Sequence, residues 1–341
     1  IREHAEDRVF GNVGAIKKLK KDKPELIIAL CGCMMQQQHI ADKIKNSYPF
    51  VNLVFGTHVT HKMPELIYTL FKNKKRVFCI EESDGVIAEG LPSSRDSGEN
   101  AWLPIMYGCN NFCSYCIVPH VRGRERSREP EVILEEAKAL VAEGYKLITL
   151  LGQNVNSYGK GCDFNVSFAE LVKRIDEIEG DFKFDFMTSH PRDCSFELID
   201  VLSECKHYCG HLHLPVQSGN NRILKEMNRL YTRERYLELV NYAKEKIPNV
   251  SLTSDMIVGF PGEKQGYKTG LTIAHGVPSR DIGGGMCQFT NLIHWLVLHS
   301  PLTICEHHHH DGVDLFPDFG RVVPFGTGTS ILYNYKDYRF V

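Results

Sequence analysis

Apolar positions Val9, Val13, Ile16 and Leu19 recur at helical spacing before a charged run at 20–23 and Pro24 close the first segment. A short, largely apolar run at 25–30 follows and ends in Cys31-Gly-Cys33, as a buried parallel strand does when it delivers a loop at its carboxyl end. Helical spacing returns at 37–46 and 62–71, with strand-like runs at 51–55 and 77–80. This alternation predicts parallel sheet covered by helices. Residues 72–100 read as a connector, charged at first and then rich in turn formers at 91–98.

From Ala101 a second rhythm begins. Strand-like runs stand at 102–107, 147–151, 184–187, 212–216 and 252–258, separated by amphipathic stretches with start and stop signals. Pro130 opens one helix and Gly144 stops it. Ser167 and Glu170 form a capping box, and Thr232 is placed to cap the helix carrying Tyr236, Leu239, Val240 and Ala243. Five βα units in a row predict a β/α barrel or an open doubly wound sheet. Beyond Glu263 the rhythm stops, and the remainder is rich in Gly, His and aromatics with β-type turns; 331–335 and 338–341 read as short strands. The expected domains are therefore 1–72, a connector 73–100, a core 101–263 and a β-rich segment 264–341.

Composition narrows the classes. With 43% apolar and 24% charged residues, the 341-residue chain reads as globular rather than disordered. Forty basic against 42 acidic residues give a net charge of -2, so any nucleic-acid contact has to be a local basic patch. No apolar run approaches the ~20 residues needed to span a bilayer. Twelve cysteines without a secretory leader point to the reducing cytoplasm, where clustered thiols favour metal or redox chemistry over bridges. The opening residue is Ile1 rather than Met, which reads as a fragment or a processed product.

The sharpest chemical signal is Cys109-Asn-Asn-Phe-Cys113-Ser-Tyr-Cys116, following the first core strand. Three thiolates this close can hold three irons of a cubane and leave the fourth without a protein ligand. An open iron can chelate S-adenosylmethionine and pass an electron to its sulfonium, giving an adenosyl radical. A zinc site is the competing reading, with His120 as the fourth ligand.

The stretch Tyr107-Gly-Cys-Asn-Asn-Phe-Cys-Ser-Tyr-Cys-Ile-Val-Pro-His120, followed by Arg122-Gly-Arg-Glu-Arg-Ser-Arg128, resembles the radical S-adenosylmethionine methylthiotransferases. Within them it is most similar to the MiaB-type tRNA-2-methylthio-N6-dimethylallyladenosine synthases. Leu150-Leu-Gly-Gln-Asn-Val-Asn-Ser-Tyr158, Ser189-His-Pro191, His213-Leu-Pro-Val-Gln-Ser-Gly219, Met227-Asn-Arg229 and Asp255-Met-Ile-Val-Gly-Phe-Pro-Gly-Glu263 extend the resemblance over about residues 1–263.

The resemblance implies an α/β fold: a partial Rossmann-like N-terminal domain, a shortened radical S-adenosylmethionine β/α barrel and a mixed, β-rich terminal segment. It implies a [4Fe-4S] cluster on Cys109, Cys113 and Cys116, and S-adenosylmethionine bound by Gly152, Gln153, Asn154, Gln217, Ser218, Ile257 and Gly259. Cys33, in Gly32-Cys-Met34, matches one ligand of the family's auxiliary cluster. Its two partner cysteines would precede Ile1, so that cluster is not expected here. Arg122, Arg124, Arg126 and Arg128 become candidate contacts to RNA phosphate, against the plain alternative of a solvated face. The implied partners are a tRNA anticodon loop and an electron donor such as a flavodoxin or ferredoxin, with no membrane and a monomeric chain in the cytoplasm. The implied reaction places a methylthio group on C2 of N6-isopentenyladenosine; sibling enzymes act on threonylcarbamoyl-adenosine or a ribosomal protein.

Gly266-Tyr-Lys-Thr-Gly-Leu271, Gly283-Gly-Gly-Met-Cys-Gln-Phe-Thr-Asn-Leu292 and Asp314-Leu-Phe-Pro-Asp318 resemble VanW-type proteins instead. Two resemblances meeting near Glu263–Gly266 predict a chimera or fusion, in which the enzyme part lacks a sixth barrel strand and the RNA-binding β-domain. An inactive enzyme fragment carried by a VanW-type interaction or envelope module is the alternative reading. His307–His310 and Cys287 are weaker candidates for metal binding and nucleophilic chemistry.

Overall fold

The computed structural model describes residues 3–81, 87–90, 95, 98–257 and 260, together with the backbone of four later strands. It divides into two units, one essentially Asn12–Met256 and the other Arg2–Gly11 with Ile257–Val341; each is taken by itself.

In the first unit, the part of α1 (Glu3–Asp22) from Asn12 onward leads into a parallel three-stranded sheet of β1 (Ala29–Cys31), β2 (Leu53–Phe55) and β3 (Val77–Cys79), in that spatial order. The helices between them are α2 (Gln38–Ser47) and α3 (Met63–Asn73). Every residue of β2 is buried, as the middle strand of a covered sheet must be. Arg76 ties the layers together by donating from its guanidinium to the carbonyls of Ile44, Lys45, Tyr48 and Val51.

The core that follows is a run of parallel strands. β4 (Asn100–Pro104) pairs with β7 (Leu147–Leu151), and β7 with β8 (Lys183–Phe186). An isolated parallel bridge between Phe184 and Tyr208 carries the order toward β9 (His211–His213), which pairs with β10 (Ser251–Thr253). Helices α5 (Pro130–Ala142), α6 (Phe168–Asp176), α7 (Phe196–Glu204), the short α8 (Asn221–Glu226) and α9 (Arg233–Lys246) alternate with these strands. Ile148, Leu150, Phe184 and Phe186 of the strands meet Ile133, Leu171, Ile175, Ile199 and Leu239 of the helices in one core. The βα rhythm is thus realised as parallel strands alternating with helices, paired as β4–β7–β8 and β9–β10.

The caps behave as their side chains require. Ser167 accepts from the Glu170 N–H and Thr232 from the Arg235 N–H, each satisfying a donor that a helix start leaves open. Gly144 takes φ 93 behind α5, a left-handed stop suited to glycine. Helix α7 fills the amphipathic stretch expected between the runs at 184–187 and 212–216, and Ser195 caps it through the Leu198 N–H.

The expected strand at 102–107 is two strands. After Pro104 the chain changes partner: the Ile105 N–H donates to Leu151 O and the Ile105 carbonyl accepts from the Arg128 N–H. β5 (Met106–Tyr107) then pairs antiparallel with β6 (Arg126–Ser127), enclosing the cysteine loop and the single-turn helix α4 (Val118–Arg122) between them.

In the second unit, β11 (Thr269–Ala274) and β12 (Val277–Ile282) form an antiparallel pair, as do β13 (Ile304–Glu306) and β14 (Arg339–Phe340). Gly259, Cys287, His307–His310 and the strand expected at 331–335 lie outside the described residues.

Candidate functional site

The cysteine loop starts where β5 ends, at the carboxyl side of the parallel array. Gly108 sits at φ 78, and a Cβ there would lie 2.0 Å from the Arg124 carbonyl oxygen, so only glycine lets the loop close on β6. The Gly108 N–H donates to Gln153 Oε1 at 2.6 Å, which ties the loop to the end of β7. Cys109 and Cys113 are buried and Cys116 half-buried. The Cys116 N–H turns back onto the Cys113 carbonyl at 2.9 Å. Burial pushes the Cys109 thiol up to about 11 and raises Cys116 as well. Thiols so placed stay protonated unless a metal or a neighbouring cation takes the proton's place.

A second segment clasps the loop from behind. The Ser114 N–H donates to Met227 O at 3.1 Å and its hydroxyl to Glu226 O at 3.0 Å. Asn228 Nδ2 donates to the carbonyls of Asn111 and Phe112 at 3.2 and 3.0 Å. Phe112, Thr188, Gln217 and Asn228 all take positive φ (47, 69, 63 and 57), conformations that cost energy for residues with a Cβ. All four lie in this loop, its clasp or the strand ends beside it, where such strain gathers at functional sites.

The strand ends hold polar groups with unused capacity. Gly152 ends β7, and a Cβ there would meet Met106 Cγ at 2.5 Å. Asn154, 1% exposed, donates from Nδ2 to Asp193 Oδ2 at 2.7 Å. Burial alone would raise the Asp193 carboxyl, but hydrogen bonds from Arg192, Lys160 and Asn154 outweigh it and bring it down to about 2. Asn154 Oδ1, Asn156 Nδ2, Ser189 Oγ and His190 Nε2 are buried with no hydrogen-bond partner among the described residues. Native interiors rarely leave such atoms open without a ligand or water to fill them.

Gln217 donates its backbone N–H to Asp255 O at 2.8 Å, joining the ends of β9 and β10. Ser218 beside it is buried, and its hydroxyl accepts from the Asn220 N–H. Ile257 is half-buried and falls in the second unit.

Among the described residues, no three His, Cys, Asp or Glu side chains converge as a single ion requires. A zinc ion needs every sulfur about 2.3 Å from one point. A cubane binds each thiolate through a different iron, which spreads the sulfurs. His120 is exposed and lies edge-on to the Phe112 ring at 6.1 Å, so the zinc reading with His120 as fourth ligand finds no support. Three thiols on one closed loop, two of them buried, beside open polar atoms at the strand ends, fit the donor set of an iron–sulfur cluster with a bound organic ligand.

Comparison with known proteins agrees. Residues 103–267 match the radical SAM superfamily, and residues 1–56 match uncharacterized protein family UPF0004. The tRNA-2-methylthio-N(6)-dimethylallyladenosine synthase of Clostridium tetani is 56% identical over 265 residues, 78% of this chain and 58% of that protein. The protein of the same name from Desulforamulus reducens is 54% identical over 265 residues, with the same shares of the two chains. Over these 265 residues the chain is similar to the tRNA methylthiotransferases, and within them to the radical SAM superfamily.

The chain spans 58% of the length of those two curated relatives. Its residues 247–341 also match the VanW-like protein family, overlapping the radical SAM match at 247–267. The cobalamin-dependent S-adenosylmethionine radical enzyme OxsB, in its apo form, shares the fold. Its TM-score is 0.53 at 15% identity, over 73% of this chain and 39% of its own.

The four arginines that follow the cysteine loop separate in the structure. Arg122 donates from Nε to Cys33 Sγ at 2.8 Å, bringing the N-terminal thiol up to the cluster loop. Thr57 reinforces that junction by donating its hydroxyl to Val121 O. Arg124 is exposed, its guanidinium 4.6 Å from the Phe112 ring centroid. Arg126 donates to Arg122 O at 3.1 Å.

Arg128 departs from the expectation of an RNA contact. It is 7% exposed and forks onto Glu89 at 2.7 and 2.6 Å, with Glu136 at 2.8 Å and Pro104 O at 2.6 Å. A cation held between two carboxylates inside the protein is not offered to phosphate. His190 and Arg229 were visible only as letters within Ser189-His-Pro191 and Met227-Asn-Arg229, and nothing in their spacing marked them as part of the site.

Proposed function

We propose that this chain is the radical part of a tRNA methylthiotransferase acting on C2 of N6-isopentenyladenosine beside the anticodon. The observation carrying the reading is the closed three-thiol loop at the carboxyl ends of the parallel strands, with the family-matched Cys33 brought against it through Arg122. When bound, a [4Fe-4S] cluster with one open iron supplies an electron to the sulfonium of S-adenosylmethionine. Radical chemistry suits the target, because an aromatic C–H offers neither an acidic proton nor a leaving group.

In this reading Cys109, Cys113 and Cys116 hold the cluster. Gly152, Gln153 and Asn154 line the methionine end of the cofactor, where the absence of a Cβ at Gly152 lets Met106 pack against the strand end. Gln217 and Ser218 serve the ribose. Asn154, Asn156, Ser189 and His190 supply open donors and acceptors that bind and orient. Burial keeps the His190 imidazole neutral, so that with Arg192 N–H on Nδ1 its Nε2 carries a proton it can share with a ligand. Arg122, Arg124 and Arg126 are the candidates for tRNA phosphate, Arg124 being the exposed one. A flavodoxin or ferredoxin as donor, a monomeric state and a cytoplasmic setting complete the proposal. No helix among the described residues is long and apolar enough to cross a membrane.

Anaerobic reconstitution of the full chain with iron and sulfide tests it. The wild type is expected to take up about four irons per chain and to cleave S-adenosylmethionine under reduction. A Cys109→Ala/Cys113→Ala variant is expected to lose that iron while keeping its far-UV spectrum. Equal iron in variant and wild type would remove the loop from the chemistry. Retention of an anticodon stem-loop bearing isopentenyladenosine, and not one bearing threonylcarbamoyl-adenosine, separates the proposed substrate from its sibling.

A further inference from the structure

Arg229 is a buried cation whose surroundings contain sulfur rather than carboxylate. It is 5% exposed. Its Nη1 donates to Cys113 Sγ and to Tyr115 Oη, both at 3.4 Å, its Nη2 to Pro215 O at 3.1 Å, and its Nε to Tyr231 Oη at 3.4 Å. Tyr231 donates its own proton to Val216 O at 2.5 Å, leaving its oxygen free to accept from the arginine. The guanidinium also lies 5.3 Å from the Tyr231 ring centroid. None of these four partners is an acid.

Guanidinium does not lose its proton in proteins. Burying it among neutral partners costs several kcal/mol unless an opposite charge offsets the lost hydration. Of these partners the Cys113 thiol is the most acidic, and it carries that charge most readily. Position reinforces the point. Arg229 follows the Glu226–Asn228 clasp directly, and its N–H is fixed on Leu224 O at 2.9 Å, so the segment that shapes the loop also delivers the cation.

Resting on the functional reading above, we propose that Arg229 is a positioning residue of the cluster. It fixes the Cys113 thiolate and supplies the positive charge that eases entry of the electron. Reduction adds one negative charge to a cluster, and neighbouring charge and hydrogen bonds to its sulfurs set how readily this happens. Arginine suits the task better than lysine, because its rigid fork holds sulfur, hydroxyl and carbonyl at once.

The test is a redox titration, followed by electron paramagnetic resonance, of the reconstituted full chain and its R229Q and R229K variants. R229Q is expected to lower the ratio of reduced to oxidised cluster about tenfold at fixed poise, a shift of about 59 mV to more negative potential for one electron. R229K, which keeps the charge, is expected to recover most of it. An unchanged midpoint in R229Q, in a protein that loads its iron, overturns the inference and leaves the functional reading standing. A wild type that takes up no iron overturns both.

A measurement on the wild type covers the case of an R229Q chain that does not fold. Pulsed resonance of the reduced cluster is expected to show a weak arginine-nitrogen coupling that changes on 15N-arginine labelling and disappears in R229K. No such coupling in the wild type overturns the proposal.

Discussion

Arg128→Met is expected to lower the unfolding free energy by about 3–5 kcal/mol, the cost of breaking a buried ion pair from one side. The side chain of Arg128 is 7% exposed, and its removal leaves Glu89 without this partner and Glu136 with Arg95 alone among the described residues. The loss extends beyond the pair, because the Arg128 guanidinium also donates to Pro104 O at 2.6 Å. Urea unfolding followed by far-UV dichroism reads the result directly. Arg124→Ala on the exposed side of the same loop should stay within about 0.5 kcal/mol of wild type while weakening tRNA retention. Equal midpoints for Arg128→Met and wild type would show that the inward arginine does not hold this part of the core.

The second large effect is a dependence on pH. Burial, with Arg229, Arg192 and Lys160 acting in the same direction against Asp193, takes the His190 imidazole from 6.5 down to about 3. Its folded value lies below its unfolded one. The unfolded chain therefore binds a proton that the native chain refuses, and stability is complete above 6.5 and lost as pH falls. The slope should be about 1.4 kcal/mol per pH unit between 6.5 and 3, roughly 4–5 kcal/mol in all. Asp193, brought down to about 2, adds a loss of the same sign in a lower window, between its ordinary 3.8 and 2. Urea midpoints at a series of pH values, for wild type and His190→Gln, check this. The variant should lose the slope above pH 4, and an identical slope in both would assign it to other groups.

How much of this could be read from the letters depends on the range of the interaction. The apolar run at 147–151 marks a strand because its cause is local, and Ser167 and Thr232 cap helices by bonds three residues away. The three cysteines were legible because loop chemistry is short-range and their spacing is unusual. Arg128 was not, since its partners Glu89 and Glu136 stand 39 and 8 positions off, and nothing in an alternating arginine run says which member turns inward. Arg229 and His190 belong to the same class: each acquires meaning only when the strand ends bring it against Cys113 or Tyr231. The split of the strand at Pro104 follows from a partner change at Ile105, which a run of apolar residues cannot express.

The bonds that clasp the cysteine loop join residues 112, 116 and 117 positions apart. Closing so long a stretch of chain carries an entropic cost that a few hydrogen bonds repay only once the intervening strands and helices have packed. During synthesis the thiols at 109–116 emerge long before Glu226–Arg229 exists to receive them. The clasped form of the loop is therefore reached only after translation of this region.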